Sequence, residues 1–149
     1  MTELITKLKE LQANTFQMYA QAHGYHWNVE GMMFKELHAF FLEIYEDVFD
    51  AIDPIAENLR KLDVYAPFGA AAWLRNATVS INDLENLSAV QMLTELQQTN
   101  EMLINLLLQT FTLADAANQQ GIANFIAERI DKHQFWRWQI KATLKKSIV

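Results

Sequence analysis

The sequence predicts an all-α fold, a four-helix bundle with a short helix in the long crossover between its second and third long helices. Four segments of the 149 residues repeat apolar side chains in alternating steps of three and four, the spacing of helices that bury one face. Only 4 Gly and 2 Pro punctuate a chain that is 51% hydrophobic, so the helices are expected to be long. The length suits one domain, residues 1–149, with enough chain to bury a real core.

The first helix is expected from about Glu3 to Asn28, with Leu4, Leu8, Leu11, Thr15, Met18, Ala22 and His26 on its inner stripe and Gly31 as its stop. In the second, Phe34, His38, Phe41, Tyr45, Val48, Ile52, Ile55, Leu59 and Leu62 keep the helical spacing without a miss. Asp53-Pro54 has the form of an N-cap followed by a first-turn proline. The apolar phase nevertheless runs on through Ile55 and Leu59, so one kinked helix is expected rather than two. The pattern breaks between Asp63 and Leu87, where Pro67 and Gly69 mark a turn, Ala70 to Asn76 suit a short helix, and Asn82 and Asp83 read as loop. Ser88 is a good N-cap for the third long helix, which places Met92, Leu96, Leu103, Leu107, Thr110 and Ala114 inside. The last begins near Gly121 and carries Ile126, Ile130, His133, Arg137, Ile140 and Leu144 inward. A crossover of roughly 25 residues can return the chain along the bundle, the connection of ferritin-like folds.

Composition narrows the function. With no cysteine, disulfides and thiolate metal sites are excluded. No apolar run approaches the roughly 20 residues that a membrane span needs. Glu3, Lys7, Lys9 and Glu10 are interspersed through the first residues, unlike a signal or transit peptide, and a cytoplasmic protein is the default expectation. The net charge of −6 disfavours nucleic acid as the main partner, because phosphate binding needs clustered cations. The densest such cluster is Lys141, Lys145 and Lys146, which the negative end of a helix dipole also explains. DNA binding is therefore expected to be weak or absent. Apolar residues spill beyond one stripe at Phe40–Leu42, at Leu106–Leu108 and at Trp136 and Trp138, so self-association is expected.

The residues able to do chemistry are few. His26 shares the apolar stripe of the first helix, and Asp53 and Glu57 are i and i+4 neighbours on the second, so two carboxylates can reach one ion. Imidazole with hard oxygen donors suits a redox-capable divalent metal such as iron. Bland readings stand beside this one. Glu46, Asp50, Asp53 and Glu57 also form an acidic stripe of the kind that usually faces solvent, and a lone histidine on an apolar face is more often a hydrogen-bonded core residue. His23 with His26 is an alternative pair, and His133 reads as structural. His38 lies fifteen residues before Asp53, roughly 22 Å along a helix, so both cannot hold one ion within a chain. The chain also lacks the E-x-x-H motif of intrachain di-iron bundles. One chain then offers about three ligands, His26, Asp53 and Glu57, and in a two-fold dimer the partner's His38 can supply another.

These residues resemble the Dps family, the mini-ferritins that protect DNA during starvation. The likeness is carried by His26-Trp27-Asn28-Val29-Glu30-Gly31, Phe34, Leu37-His38 and Asp53-Pro54-Ile55-Ala56-Glu57. Ala66-Pro67-Phe68 and Ile130-Asp131-Lys132-His133 extend it over nearly the whole chain. The resemblance implies a ferritin-like bundle assembled into a hollow dodecamer of two-fold dimers, with ferroxidase sites at the two-fold interfaces. There Fe(II) is oxidised, typically with hydrogen peroxide and otherwise with oxygen, and ferric mineral is stored inside. It also implies His26, Asp53 and Glu57 as ligands from one subunit, His38 from its neighbour, zinc as a substitute metal, and Trp27 beside the site to intercept a stray radical. Departures accompany the likeness. Leu42 stands where the family has an acid, leaving Glu43 or Glu46 to compensate, and Asn58 stands for an arginine. Asp115 is the one obvious acid for a three-fold iron pore, and the long basic N-terminal tail of some members is not seen. Leu42 motivates an alternative, a cage that sequesters metal with a weakened or lost ferroxidase centre. A helical interaction module with His26 and His38 in its core is a third reading.

Overall fold

A computed structural model describes residues 1–145. Its helices are α1 (Thr2–Asn28), α2 (Phe34–Lys61), α3 (Ala70–Asn76), α4 (Ala89–Ala116) and α5 (Gln120–Leu144). The four long ones form the bundle and α3 sits in the crossover. Lys146, counted above in a basic cluster, lies outside the described residues. No helix among the described residues is long and apolar enough to cross a membrane.

Consecutive long helices pair into hairpins, α1 with α2 and α4 with α5, and α1 packs on α4. Leu4, Leu8, Leu11, Met18, Phe41, Ile44, Val48, Leu59, Leu96, Leu103, Ile126 and Ile140 are among the side chains that fill the core. Between α1 and α2, Gly31 takes φ +116°, a conformation with little cost for glycine alone. Helix α2 runs through Pro54 as one element, so the apolar phase prevails over the capping signal. Ser88 caps α4 reciprocally: its hydroxyl accepts from Gln91 N–H, and Gln91 Oε1 accepts from Ser88 N–H, a capping box. Helices α2 and α4 each end on a left-handed residue, Asp63 (φ 62°) and Asn118 (φ 57°). Val64 N–H then reaches Leu59 O, and Gln119 N–H reaches Ala114 O, which satisfies carbonyls that would otherwise be orphaned.

The inner stripe of α2 keeps Phe41, Val48, Ile52, Ile55 and Leu59 of the expected set but is displaced by one position at its start. Leu37, Phe41, Ile44, Val48, Ala51, Ile55 and Asn58 are buried, while Phe34 is exposed and His38 and Tyr45 are half-buried. A step of one residue turns 100° around a helix, and it carries His38 from the core to the flank facing α1. Arg137, expected inside, instead pairs across the surface with Glu101. Polar residues of α1 hold the crossover. Asn14 Oδ1 accepts from the N–H groups of Thr78 and Val79, its Nδ2 donates to Thr78 Oγ1, Gln12 donates to Pro67 O, and Gln17 donates to Val79 O.

Candidate metal centre

The end of α1 and the start of α2 bring two imidazoles face to face. The rings of His26 and His38 stack at 3.7 Å between centroids with 15° between planes. Each Nδ1 donates to the other residue's backbone, His26 to His38 O at 2.7 Å and His38 to His26 O at 2.6 Å. A carbonyl can only accept, so both Nδ1 atoms carry hydrogen. In the neutral rings both Nε2 atoms are then lone-pair donors, the state in which histidine binds metal. Phe34 stacks on the other face of His38 at 5.0 Å. The reciprocal bonds hold the pair rigidly at the rim of the bundle, with His26 buried and His38 half-buried.

The structure corrects the expected sharing of ligands. His38, expected to serve the partner, stacks beside His26 of its own chain. Asp53 and Glu57 do not join them. Both are exposed, and Asp53 borders a hollow lined by Phe16, Phe49, Asp50, Ile52 and Ala56. Phe16 precedes His26 by ten residues, roughly 15 Å along α1, so the carboxylate and the imidazole lie far apart. Among the described residues, no three His, Asp or Glu side chains are close enough to hold one ion. The grouping of His26 with Asp53 and Glu57 inside one chain is therefore withdrawn.

Neighbouring candidates take definite places. Leu42 is half-buried one turn after His38, and Glu43 and Glu46 are exposed. Glu46 lines a shallow depression with Tyr19, Tyr45, Phe49 and Asp50. His23 Nδ1 is engaged by Tyr19 Oη at 2.9 Å, and its ring centroid is 6.1 Å from that of His26. Burial, with the charge of His26 second, lowers the His23 pKa. Trp27 is 66% exposed and its ring lies 4.2 Å from His23.

Residues 5–147 match the ferritin-like domain family. Among solved structures, Dps from Thermosynechococcus elongatus superposes with a TM-score of 0.94 at 33% identity, covering 98% of this chain and 92% of that one. The chain belongs to the ferritin-like family as a Dps-type member. A Dps protein from Vibrio cholerae, described as a member of a broad superfamily of ferritin-like diiron-carboxylate proteins, gives a TM-score of 0.91 at 27% identity, covering 97% of this chain and 90% of that one. General stress protein 20U of Bacillus subtilis is 30% identical over 145 residues, 95% of this chain and 97% of that protein.

In this Dps-type chain the interior of the bundle holds an ion-pair network that the sequence pattern did not disclose. Arg129 donates from both terminal nitrogens to Asp47, at 2.8 and 3.0 Å. Trp136 Nε1 donates to the same carboxylate at 2.8 Å. His133, buried as a structural residue, meets Arg129 Nη2 at 3.1 Å through Nε2 and donates from Nδ1 to Asn100 Oδ1 at 2.8 Å. Burial pushes the Asp47 carboxyl up, but the hydrogen bond and charge of Arg129, then Trp136, outweigh it and leave the pKa lowered. Burial, reinforced by Arg129 and opposed by Asp47, pushes His133 down to about 3. The network ties α2 to α5 across more than 80 residues of sequence.

Proposed function

We propose that this chain is the protomer of a ferroxidase cage that oxidises Fe(II) with hydrogen peroxide and keeps the ferric product inside. The observation that carries the proposal is the stacked His26–His38 pair, while the carboxylates of Asp53 and Glu57 lie about 22 Å and about 28 Å from it along α2. Two-fold symmetry supports the completion of such a site. His38, Leu42, Phe49 and Asp53 follow one another at helical spacing along the outer face of α2, and Phe49 is 52% exposed. An axis crossing this stripe near Glu46 sets the two α2 helices antiparallel. It brings His26 and His38 of one protomer to the carboxylates of Asp53 and Glu57 in the other. Each two-fold interface then holds two equivalent sites.

The chemistry follows from the donors. The carboxylates offset the charge of bound Fe(II), and the imidazoles hold it through nitrogens whose tautomer is fixed by backbone carbonyls. Two ferrous ions give one electron each to peroxide, so that 2 Fe(II) + H2O2 + 2 H⁺ become 2 Fe(III) + 2 H2O. Closing into a dodecameric cage would shield the ferric product. Zinc, with similar ligand preferences but no redox chemistry, would compete for the site and block turnover.

Leu42 favours a second reading, in which a site without the acid at that position holds one metal tightly and the cage acts mainly by sequestration. Stopped-flow absorbance of ferric formation, with peroxide and with oxygen, separates the two. The ferroxidase reading predicts that Asp53→Ala with Glu57→Ala abolishes the fast phase. An unchanged rate and stoichiometry in that variant would remove it.

A further inference from the structure

The histidine pair opens onto a continuous path of aromatic rings that iron binding does not require. The His23 ring is sandwiched between Trp27, at 4.2 Å, and Tyr45, at 3.9 Å with 12° between planes. Tyr45 stands edge-on to His26 at 5.3 Å and to Tyr19 at 6.2 Å. Tyr19 contacts Phe49 at 5.0 Å and shares the 2.9 Å hydrogen bond with His23 Nδ1. Exposure falls along the path, from Trp27 at 66% to the half-buried rings of Tyr45 and Tyr19.

The tyrosines differ in a property that matters for oxidation. A phenol that loses an electron becomes a strong acid, so it forms a lasting radical only where a base can take its proton. Of the 4 tyrosines, Tyr19 alone has an imidazole nitrogen on its hydroxyl. Tyr25 has only the amide of Gln21, which donates to it, and Tyr65 lies exposed beside Arg60. Tyr45 has no side-chain base, which suits it to pass a charge rather than keep it.

We propose that Trp27, His23, Tyr45 and Tyr19 form a relay that moves one oxidising equivalent from the rim of the histidine pair to Tyr19, where it is held as a tyrosyl radical. The inference rests on the iron-oxidising reading only for the source of that equivalent. A single ferrous ion reduces peroxide by one electron, giving Fe(III), hydroxide and a hydroxyl radical. The hydroxyl radical takes an electron from Trp27, becoming hydroxide and leaving an indole radical cation. Tyr19 then returns an electron to Trp27 through the stacked rings, its O–H bond breaks, and the proton moves to His23 Nδ1. The products are neutral Trp27, a neutral tyrosyl radical and a protonated His23. When a second ferrous ion arrives, it gives its electron to the tyrosyl radical, and the proton returns from His23. The sum is 2 Fe(II) + H2O2 → 2 Fe(III) + 2 OH⁻, with no radical released. The relay thus gives a centre that holds one ferrous ion at a time a way to consume both oxidising equivalents in sequence.

Freeze-quench electron paramagnetic resonance tests this in two arms. In the iron arm, the assembled protein receives substoichiometric Fe(II) and then peroxide. Wild type and Tyr65→Phe give a tyrosyl signal that disappears on adding more Fe(II), whereas Tyr19→Phe, which keeps the ring packing, and His23→Phe, which keeps the stack without the base, lose it. In the iron-free arm, a flash-generated ruthenium(III) tris-bipyridine complex oxidises the metal-free protein in a Tyr65→Phe background, and the tyrosyl signal again depends on Tyr19. A signal in the iron-free arm without one in the iron arm overturns the ferroxidase reading and leaves the relay standing. A tyrosyl yield unaffected by Tyr19→Phe in both arms overturns the relay.

Discussion

The sharpest quantitative consequence of the buried network concerns acid. His133 is enclosed among Arg129, Asn100 and, through Arg129, Asp47, and its pKa falls from 6.5 to about 3. Between these values the unfolded chain binds a proton on this histidine and the folded chain does not. Stability therefore rises with pH across that window and is lost as pH falls. Because the unfolded histidine is only half protonated at pH 6.5, going from pH 6.5 to 4.5 costs roughly 2 kcal/mol from this group alone. Other groups titrate in the same range, and comparison with His133→Gln isolates this one. Urea unfolding of both proteins at one protomer concentration, which keeps the assembly term equal, yields the difference in stability at each pH. That difference should move in favour of the variant by roughly 1 kcal/mol per unit on acidification. A difference that stays flat between pH 6.5 and 4.5 would refute a neutral, desolvated His133.

Two further perturbations test the network and the site. Asp47→Leu strands the Arg129 cation beside His133 and should cost about 3 kcal/mol, whereas adding Arg129→Met should recover at least about 1 kcal/mol, because breaking a buried pair is worse than replacing it. Simple additivity of the two losses in urea unfolding would contradict that account. Leu42→Asp restores a carboxylate one turn after His38, and anaerobic Fe(II) titration should show about one more ion per site. An unchanged stoichiometry would mean that position 42 does not face the centre.

The long helices were legible because their apolar periodicity is long and their breakers few, and Ser88 announced its own cap. The α2 stripe was misjudged by one residue because two heptad series compete. Leu37, Ile44, Ala51 and Asn58 run beside His38, Tyr45, Ile52 and Leu59, and the second series, which ends on Ile52 and Leu59, reads as the core. The core takes all of the first series and only Ile52 and Leu59 of the second, burying Asn58 and leaving His38 and Tyr45 on the flank. That difference at the start of α2 sets His38 in a stack on His26. The residues His26, His38, Asp53 and Glu57 could be nominated from their types and spacing, but which of them lie together in one chain could not. It depends on how the α1–α2 hairpin closes around Gly31. Beyond His133, which reads as structural, the network of Asp47, Arg129, Asn100 and Trp136 left no local mark, since Asp47 and Asn100 are supplied by other helices. Gln12, Asn14 and Gln17 look like solvent-facing residues until the crossover backbone is laid over them.

Subunit complementation bears most directly on the claim that imidazoles and carboxylates of one centre come from different protomers. Chains carrying His26→Ala with His38→Ala are unfolded and reassembled with an equal amount of chains carrying Asp53→Ala with Glu57→Ala. Neither parent assembly should oxidise Fe(II) quickly. Random mixing makes half the interfaces mixed, each with one intact site of two, so the fast phase should return at roughly a quarter of the wild-type amplitude. No recovery in properly mixed cages would contradict the account, because that is the outcome if each centre draws all its ligands from one chain.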